Sequence, residues 1–567
     1  MQHNNILEPA KNYDALYRGF QWSIPQRFNI ATACCSVWAE RDKTRIALHH
    51  VHMDGTVENI SFSRLNNESN KLANGFQSLE IHTNDRVGVL LPQSPETLIS
   101  HLAIYKIGAI AVPLALLFGA DALLYRMRDA GVSCIVTNQQ GFEKLRQIRA
   151  QLPDLKSVIL VDAHNVALPK HTYSFQTLLQ KSKEQFTCAD TGPDDPALMI
   201  YTSGTTGPPK GALHGHRVLL GHLPGMQMSH DFLPQAGDRI WTPADWAWAG
   251  GLLNVLLPSL MLGVPVVSSS QQKFDPEWAY SLMQDQGVVN AFIPPTALKM
   301  LRAVTNPSKR YRLQLRDIAS AGEALGADTY HWGRDTLGLN INDAYGQTEC
   351  NLVLGSSAAL GMNKAGAIGR AVPGHKVAII GSDGATMPPG VQGEIAVQAP
   401  DPVMMLGYWN KPEETAAKFI DAHDDKGLQT SWFTTGDQAI MDDKGFVSFV
   451  GRDDDIITSA GYRIGPTEVE DCLLSHPAVA LAAVVGKPDA LRTEIVKAYI
   501  VLTQGQSGSD KLVAHIQAYV RERLSGHAFP REIVFRTSLP LTTSGKIIRR
   551  ELRDEAIREA ACEVPAL

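Results

Sequence analysis

Short apolar runs rich in Val and Ile recur along the first half of the chain: Arg86–Leu91, Ala109–Pro113, Cys134–Thr137, Ser157–Val161, Ala197–Thr202, Val264–Val267 and Val288–Ile293. Segments with helical patterning separate them. Strands that alternate with helices predict parallel sheets covered on both faces. After about residue 376 the texture changes to hairpin-like pieces, Lys376–Ile380, Gly393–Val397 and Phe446–Val450, divided by turn signals at 382–384, 388–390 and 442–445. That stretch predicts a β-rich subdomain. The charged run Gly451-Arg452-Asp453-Asp454-Asp455 offers nothing apolar to bury. Beyond it the pattern predicts a helix at Pro466–Ser475, strands at Ala480–Val485 and Val496–Leu502, a helix at Asp510–Leu524 and a polar terminal segment.

The expected fold is therefore α/β. A large N-terminal domain (1–450) combines parallel βα subdomains with the β-rich subdomain, 451–455 is a break, and 456–567 is a small α+β C-terminal domain. A chain of 567 residues exceeds one hydrophobic core, which agrees with this division. No internal repeat is visible.

Composition narrows the function classes. Hydrophobic residues make up 44% and charged residues 19%, an ordinary globular balance. A net charge of −6 gives no basic footprint for nucleic acid. The seven cysteines include no CxxC pair, which argues against a zinc site or disulfide framework and fits a reducing compartment. The apolar stretches Ile104–Phe118 and Leu252–Val267 are interrupted by Lys, Asn, Gly and Pro and fall short of the ~20 clean residues a span needs. With no leader-like opening, the expectation is a cytoplasmic protein with no membrane partner.

The strongest chemical signal follows the run at 197–202. Thr202, Ser203, Gly204, Thr205, Thr206 and Gly207 lead to Lys210. Glycines let backbone N–H groups wrap an anion, hydroxyls add donors and the lysine adds charge, a combination suited to polyphosphate. It is not the GxxxxGK[ST] loop. Four further motifs follow in order: Gly322-Glu323-Ala324; Asp343-Ala344-Tyr345-Gly346-Gln347-Thr348-Glu349; Gly436-Asp437; and the 451–465 segment with Arg452 and Gly461-Tyr462-Arg463. A fifth, Pro540 to Lys546, closes the series.

This ordered set resembles the adenylate-forming superfamily of acyl-CoA synthetases, luciferases and peptide-synthetase adenylation domains. The segments Ser459–Glu470, His476–Val479 and Gly486–Asp489 look closest to medium-chain acyl-CoA synthetases and their bacterial acetyl-CoA-synthetase-like relatives. The resemblance implies that the 202–210 loop, Gly322–Ala324, Asp343–Thr348, Asp437, Arg452 and Lys546 bind ATP or AMP. Tyr345 would stack on adenine, Thr348 bind phosphate, Glu349 bind Mg²⁺ and Asp437 accept from the ribose hydroxyls. Lys546 would be the catalytic lysine, with Thr348 and Glu349, and Asp454 the pivot of a mobile C-terminal domain. Gly461, Tyr462 and Arg463 would face CoA.

The implied reaction joins a carboxylic acid to CoA through an acyl-adenylate made from ATP. Lys546 is also the position at which bacterial relatives are reversibly acetylated, which implies an acetyltransferase and a deacetylase as partners. Acetate-specific relatives carry a tryptophan where this chain has Gly346, so an open apolar slot lined by Trp246, Trp248, Gly250, Gly251 and Gly346 is expected to take medium-chain or branched acids. The alternatives are a short-chain (acetyl or propionyl) or aryl acid CoA ligase, an acyl-AMP ligase serving a carrier protein, or a nucleotide sensor without turnover. His214 and His216 are read as packing histidines, and Cys350 as no nucleophile.

Overall fold

The computed structural model describes residues 6–163, 167–202, 208–271, 273–423, 429–453, 455–459, 462–489, 492–524, 528–542 and 546–563. Two large sheets build the N-terminal part. In the eight-stranded sheet, Arg86–Leu90 pairs in parallel with both Ile110–Pro113 and Cys134–Thr137, and Ser157–Leu160 extends that run. In the nine-stranded sheet, Asn290–Phe292, Asp317–Ala321 and Ile341–Tyr345 lie side by side and parallel. These strands are almost wholly buried, as a sheet covered on both faces requires.

The helix Val218–Ser229 is apolar nearly all round, and all of its 12 residues are buried. It belongs to the largest core cluster, which draws residues from both sheets, including Leu198, Val266 and Ala344. Its Gly225 allows a close approach: a Cβ there would stand 2.7 Å from the Leu352 carbonyl oxygen. The helix is thereby held against the segment that follows the Tyr345 motif.

Residues 377–452 form a five-stranded sheet of Val377–Ile380, Gln392–Ala399, Phe419–His423, Gln429–Met441 and Val447–Arg452, with every pair antiparallel. Gly451 and Arg452, expected in a break, are strand residues opposite Gln438 and Asp437. The long Gln429–Met441 strand gives their backbone a ladder partner, which matters more here than their lack of apolar surface. Beyond them, Ile457–Ser459, Tyr462–Ile464, Thr493–Leu502, Val479–Asp489 and Glu532–Arg536 form a separate sheet with helices Pro466–Leu474 and Asp510–Arg523. The buried clusters built from 457 onward share no member with those before 450. The polar terminal segment is in fact a helix, Arg549–Glu563. Leu552 and Ala556, four residues apart, pack against Val485 and Tyr499, a stripe too narrow to stand out in the pattern. No described helix is long and apolar enough to cross a membrane.

Candidate active site

Asp317–Ala321 and Ile341–Tyr345 are adjacent and parallel, with Ala321 level with Ala344. Their carboxyl ends therefore deliver Gly322–Ala324 and Gly346–Glu349 to the same sheet edge, where open α/β sheets bind ligands. Gly322 turns the chain with φ +99°, a conformation that favours glycine. The Tyr345 hydroxyl donates to Asp437 Oδ2 at 2.5 Å, and Gln347 Nε2 donates to the same oxygen at 2.7 Å and to the Thr435 carbonyl at 2.6 Å. Arg452 Nε stands 3.9 Å from Asp437 Oδ1, opposite it across the two strands. Burial, reinforced by Asp437, pushes the Tyr345 hydroxyl well above the usual tyrosine range. Asp437 is thus a buried carboxylate oriented by three neighbours. Asp343 and Ala344 lie beneath the pocket, and burial pushes the Asp343 carboxyl well above the usual range.

Glu349 is 8% exposed, and its Oε1 accepts from the Tyr408 hydroxyl at 2.6 Å. Lys210 Nζ lies 4.9 Å from the Tyr408 ring centroid. One aromatic side chain thus links the lysine that ends the phosphate loop to the carboxylate. The loop joins the antiparallel strands Pro196–Thr202 and Lys210–Gly215, with Thr202 paired to Lys210, and the next helix begins at Val218. His214 is therefore a strand residue, buried, its pKa lowered to about 3 by desolvation. The ring of His216, lowered to about 4 for the same reason, accepts from the Ile30 N–H. Both are neutral packing groups, as expected. The Cys350 thiol is raised well above its usual pKa by burial, which removes it as a nucleophile. Among the described residues no three His, Cys, Asp or Glu side chains come together to hold a metal. A lone buried hard-oxygen donor at Glu349 suits Mg²⁺ that arrives already bound to nucleotide phosphates.

Lys546 belongs to the C-terminal part, yet its Nζ lies 3.6 Å from where a Cβ on Gly322 would stand. The residue as a whole keeps solvent exposure along the cleft. Desolvation of its ammonium lowers its pKa from the usual lysine value; Glu323 pulls it up, Arg452 down and Asp437 up. Glu323 in turn accepts from Thr296 Oγ1 at 2.8 Å.

Two site residues escaped the motif reading. Glu394 Oε1 accepts the Gly436 N–H at 2.6 Å, fixing the turn before Asp437. Lys418 is half-buried, its pKa lowered by desolvation and raised by Glu349 and Glu394, with Arg452 and Asp437 also acting on it. Its carbonyl accepts from the Thr434 N–H at 2.7 Å, which places it beside the Asp437 strand. Neither residue sits in a recognisable spacing, so only strand pairing reveals them.

The expected open slot is not where Gly346 was thought to leave it. A Cβ on Gly346 would stand 2.3 Å from the Leu352 backbone nitrogen, so this glycine serves a close backbone approach. Gly251 likewise faces its own loop, 2.5 Å from the Asp245 carbonyl oxygen. Trp246 is 1% exposed within the main core, and Trp248 packs edge-on against Phe118 at 5.7 Å. A Cβ on Gly250 would stand 3.4 Å from the Phe292 ring. Phe292 lines a crevice with Met226, Ser229, His230, Asn254, Ala319, Ala344 and Leu352 that is too tight to admit a water molecule. Ala319 and Ala344 lie on the two strands that end at the site, so those strands form part of the crevice wall. Ser203, Gly204, Thr205, Thr206, Gly207, Asp454 and Gly461 lie outside the described residues, as do the side chains of Tyr462 and Arg463.

The chain matches the AMP-binding enzyme family over residues 35–409 and the AMP-binding enzyme C-terminal domain over 468–546. It is 32% identical to acyl-coenzyme A synthetase ACSM4, mitochondrial, of Homo sapiens, over 94% of this chain and 92% of the relative. It is also 32% identical to the acetyl-coenzyme A synthetase of Bacillus subtilis (strain 168), over 96% of this chain and 95% of the relative. An anthranilate CoA ligase, AuaEII, solved with anthranoyl-AMP, superposes with a TM-score of 0.84 at 26% identity, over 95% of this chain and 99% of that one. A Brucella canis acyl-CoA synthetase superposes at 0.73 with 32% identity, over 97% and 100%.

Lys418→Met removes a cation whose field acts with those of Glu349, Glu394 and Asp437. Loss of one charge-assisted hydrogen bond to the nucleotide phosphates, about 1.5–3 kcal/mol, should raise the KM for ATP about tenfold or more. Initial rates against ATP concentration check this, and an unchanged KM would remove Lys418 from the site.

Proposed function

Because the chain belongs to the AMP-binding enzyme family and is an AMP-forming acyl-CoA synthetase, converting a carboxylic acid, ATP and CoA to acyl-CoA, AMP and pyrophosphate, we propose that Lys546 is the catalytic lysine of its adenylate-forming step. The observation that carries this is the ammonium of Lys546 standing at Gly322, with Glu323, Asp437 and Arg452 acting on it. The substrate carboxylate and the α-phosphate repel each other, and a fixed cation between them offsets that repulsion as charge grows on the phosphoryl oxygens. Asp437 and Arg452 hold the ribose, Tyr345 stacks on the adenine, and Thr348 with Lys210 meets the phosphates. Glu349 would hold the Mg²⁺ that neutralises the departing pyrophosphate. Gly461, Tyr462 and Arg463 face CoA, which attacks the adenylate carbonyl through its thiol after residues 456–567 turn about Asp454. Acetylation of Lys546 by a partner enzyme would delete the charge the first step needs, and a deacetylase would restore it.

For the acid, the reading is a medium-chain or branched acyl group that parts the walls of this closed crevice behind the alanines. Its walls are apolar on the Met226, Phe292 and Leu352 sides, so each further CH₂ accommodated adds about 0.8 kcal/mol. A flat aryl acid is the second reading, favoured by the small Ala319 beside Phe292 on the neighbouring strand and Ala344 in the same lining. The six described cysteines are free thiols, five of them buried, which supports a reducing compartment such as the cytoplasm.

Lys546→Ala should reduce ATP–pyrophosphate exchange by about 10²–10³-fold while sparing thioester formation from supplied acyl-AMP; equal loss of both half-reactions would contradict the assignment. A pyrophosphate-release screen from acetate to decanoate, with branched acids and benzoate, identifies the acid. Phe292→Ala should shift the preference toward longer or bulkier acids, about fourfold per added CH₂. An unchanged rank order would place the acyl group elsewhere.

A further inference from the structure

Lys546 precedes the terminal helix Arg549–Glu563, and the start of that helix is gripped at two carboxylates. Arg549 donates from Nε and Nη2 to the two oxygens of Glu470, at 3.1 and 2.5 Å. Glu470 Oε1 also accepts the Val484 N–H at 2.8 Å. Glu470 lies on Pro466–Leu474, so this contact docks the helix within its own domain. The second grip is different in kind. Arg553, one turn further on the same face, donates to Asp455 Oδ1, and Arg549 Nη1 stands 3.9 Å from Asp455 Oδ2. The Asp455 and Glu470 side chains are only 10% and 8% exposed, so these are not solvent-screened surface pairs.

Asp455 is tied directly to the nucleotide side of the cleft. Its own N–H and that of Ile456 both return to the Arg452 carbonyl at 3.0 Å, closing a tight turn. Arg452 is the residue opposite Asp437. A continuous line of contacts therefore runs from Asp437 through Arg452 and the 452–456 turn to Asp455, then through Arg553 to the segment that carries Lys546.

We propose that Asp455 is a positioning residue for adenylate formation: through Arg553 and Arg549 it sets where Lys546 stands relative to Asp437 and Arg452, without touching substrate. The inference rests on the reading of Lys546 given above. A misplacement of about 1 Å in a catalytic group can cost about a hundredfold, and Lys546 reaches the cleft from a separate hydrophobic core, so its placement depends on such a tether. The Glu470 grip and the buried Leu552 and Ala556 keep the helix docked when Asp455 is changed, so the variant tests placement and not folding.

The test measures ATP–pyrophosphate exchange and thioester formation from supplied acyl-AMP, using the acid with the highest turnover in the screen. Asp455→Asn and Arg553→Gln should each lower the exchange kcat between about tenfold and a hundredfold. The KM for ATP and thioester formation should stay as in the parent while Tm falls, because a buried pair loses one partner, and Asp455→Glu should recover most of the exchange. Parallel loss of both half-reactions, or unchanged exchange, would overturn the proposal. Lys546→Ala runs alongside: exchange retained there overturns both the proposal and the reading beneath it. Exchange lost there but kept in Asp455→Asn overturns the proposal alone.

Discussion

In the mechanism proposed here, the chemistry depends on a single ammonium group, Lys546, brought to Gly322 from a part of the chain with its own core. Lys546 meets the backbone at Gly322, and every other site residue is arranged with respect to that meeting. Two parallel strands deliver Gly322 and Tyr345 to one edge, while an antiparallel pair brings Asp437 and Arg452 opposite each other from the side. Desolvation favours the neutral amine and Arg452 adds to that, while the carboxylates of Glu323 and Asp437 act in the opposite direction.

Polar satisfaction explains why so many site residues are fixed before any substrate arrives. The Asp437 carboxylate takes bonds from Tyr345 and Gln347, Glu349 from Tyr408, Glu323 from Thr296, and Glu394 from the Gly436 N–H. Each of these acidic groups is held by a neutral donor, and Asp437 also has the Arg452 guanidinium 3.9 Å away. Preorganisation of this kind lets electrostatic stabilisation act without reorganisation at the moment of reaction.

Much of this was legible in the sequence because the motifs encode local geometry. Gly322 is required by a left-handed turn, the apolar runs at 86–91, 134–137 and 288–293 hold buried parallel strands, and the order of the motifs identified the family. What the sequence hid depends on pairing between distant segments. Lys418 and Glu394 reach the site only because Phe419–His423 and Gln392–Ala399 flank the strand that bears Asp437. Among its described side chains the terminal helix buries only two apolar residues, Leu552 and Ala556. Gly346 misled for a related reason: a missing side chain was read as open space, whereas the backbone of Asn351 and Leu352 fills it.

The central claim is one nucleotide pocket completed by Lys546. A crystal structure with ATP tests it most directly. The account predicts adenosine between Gly322–Ala324 and Tyr345, ribose hydroxyls on Asp437, and Lys546 Nζ within about 3 Å of an α-phosphate oxygen. Nucleotide bound away from the Tyr345–Glu349 segment, or Lys546 directed out of the cleft with ATP in place, would contradict it.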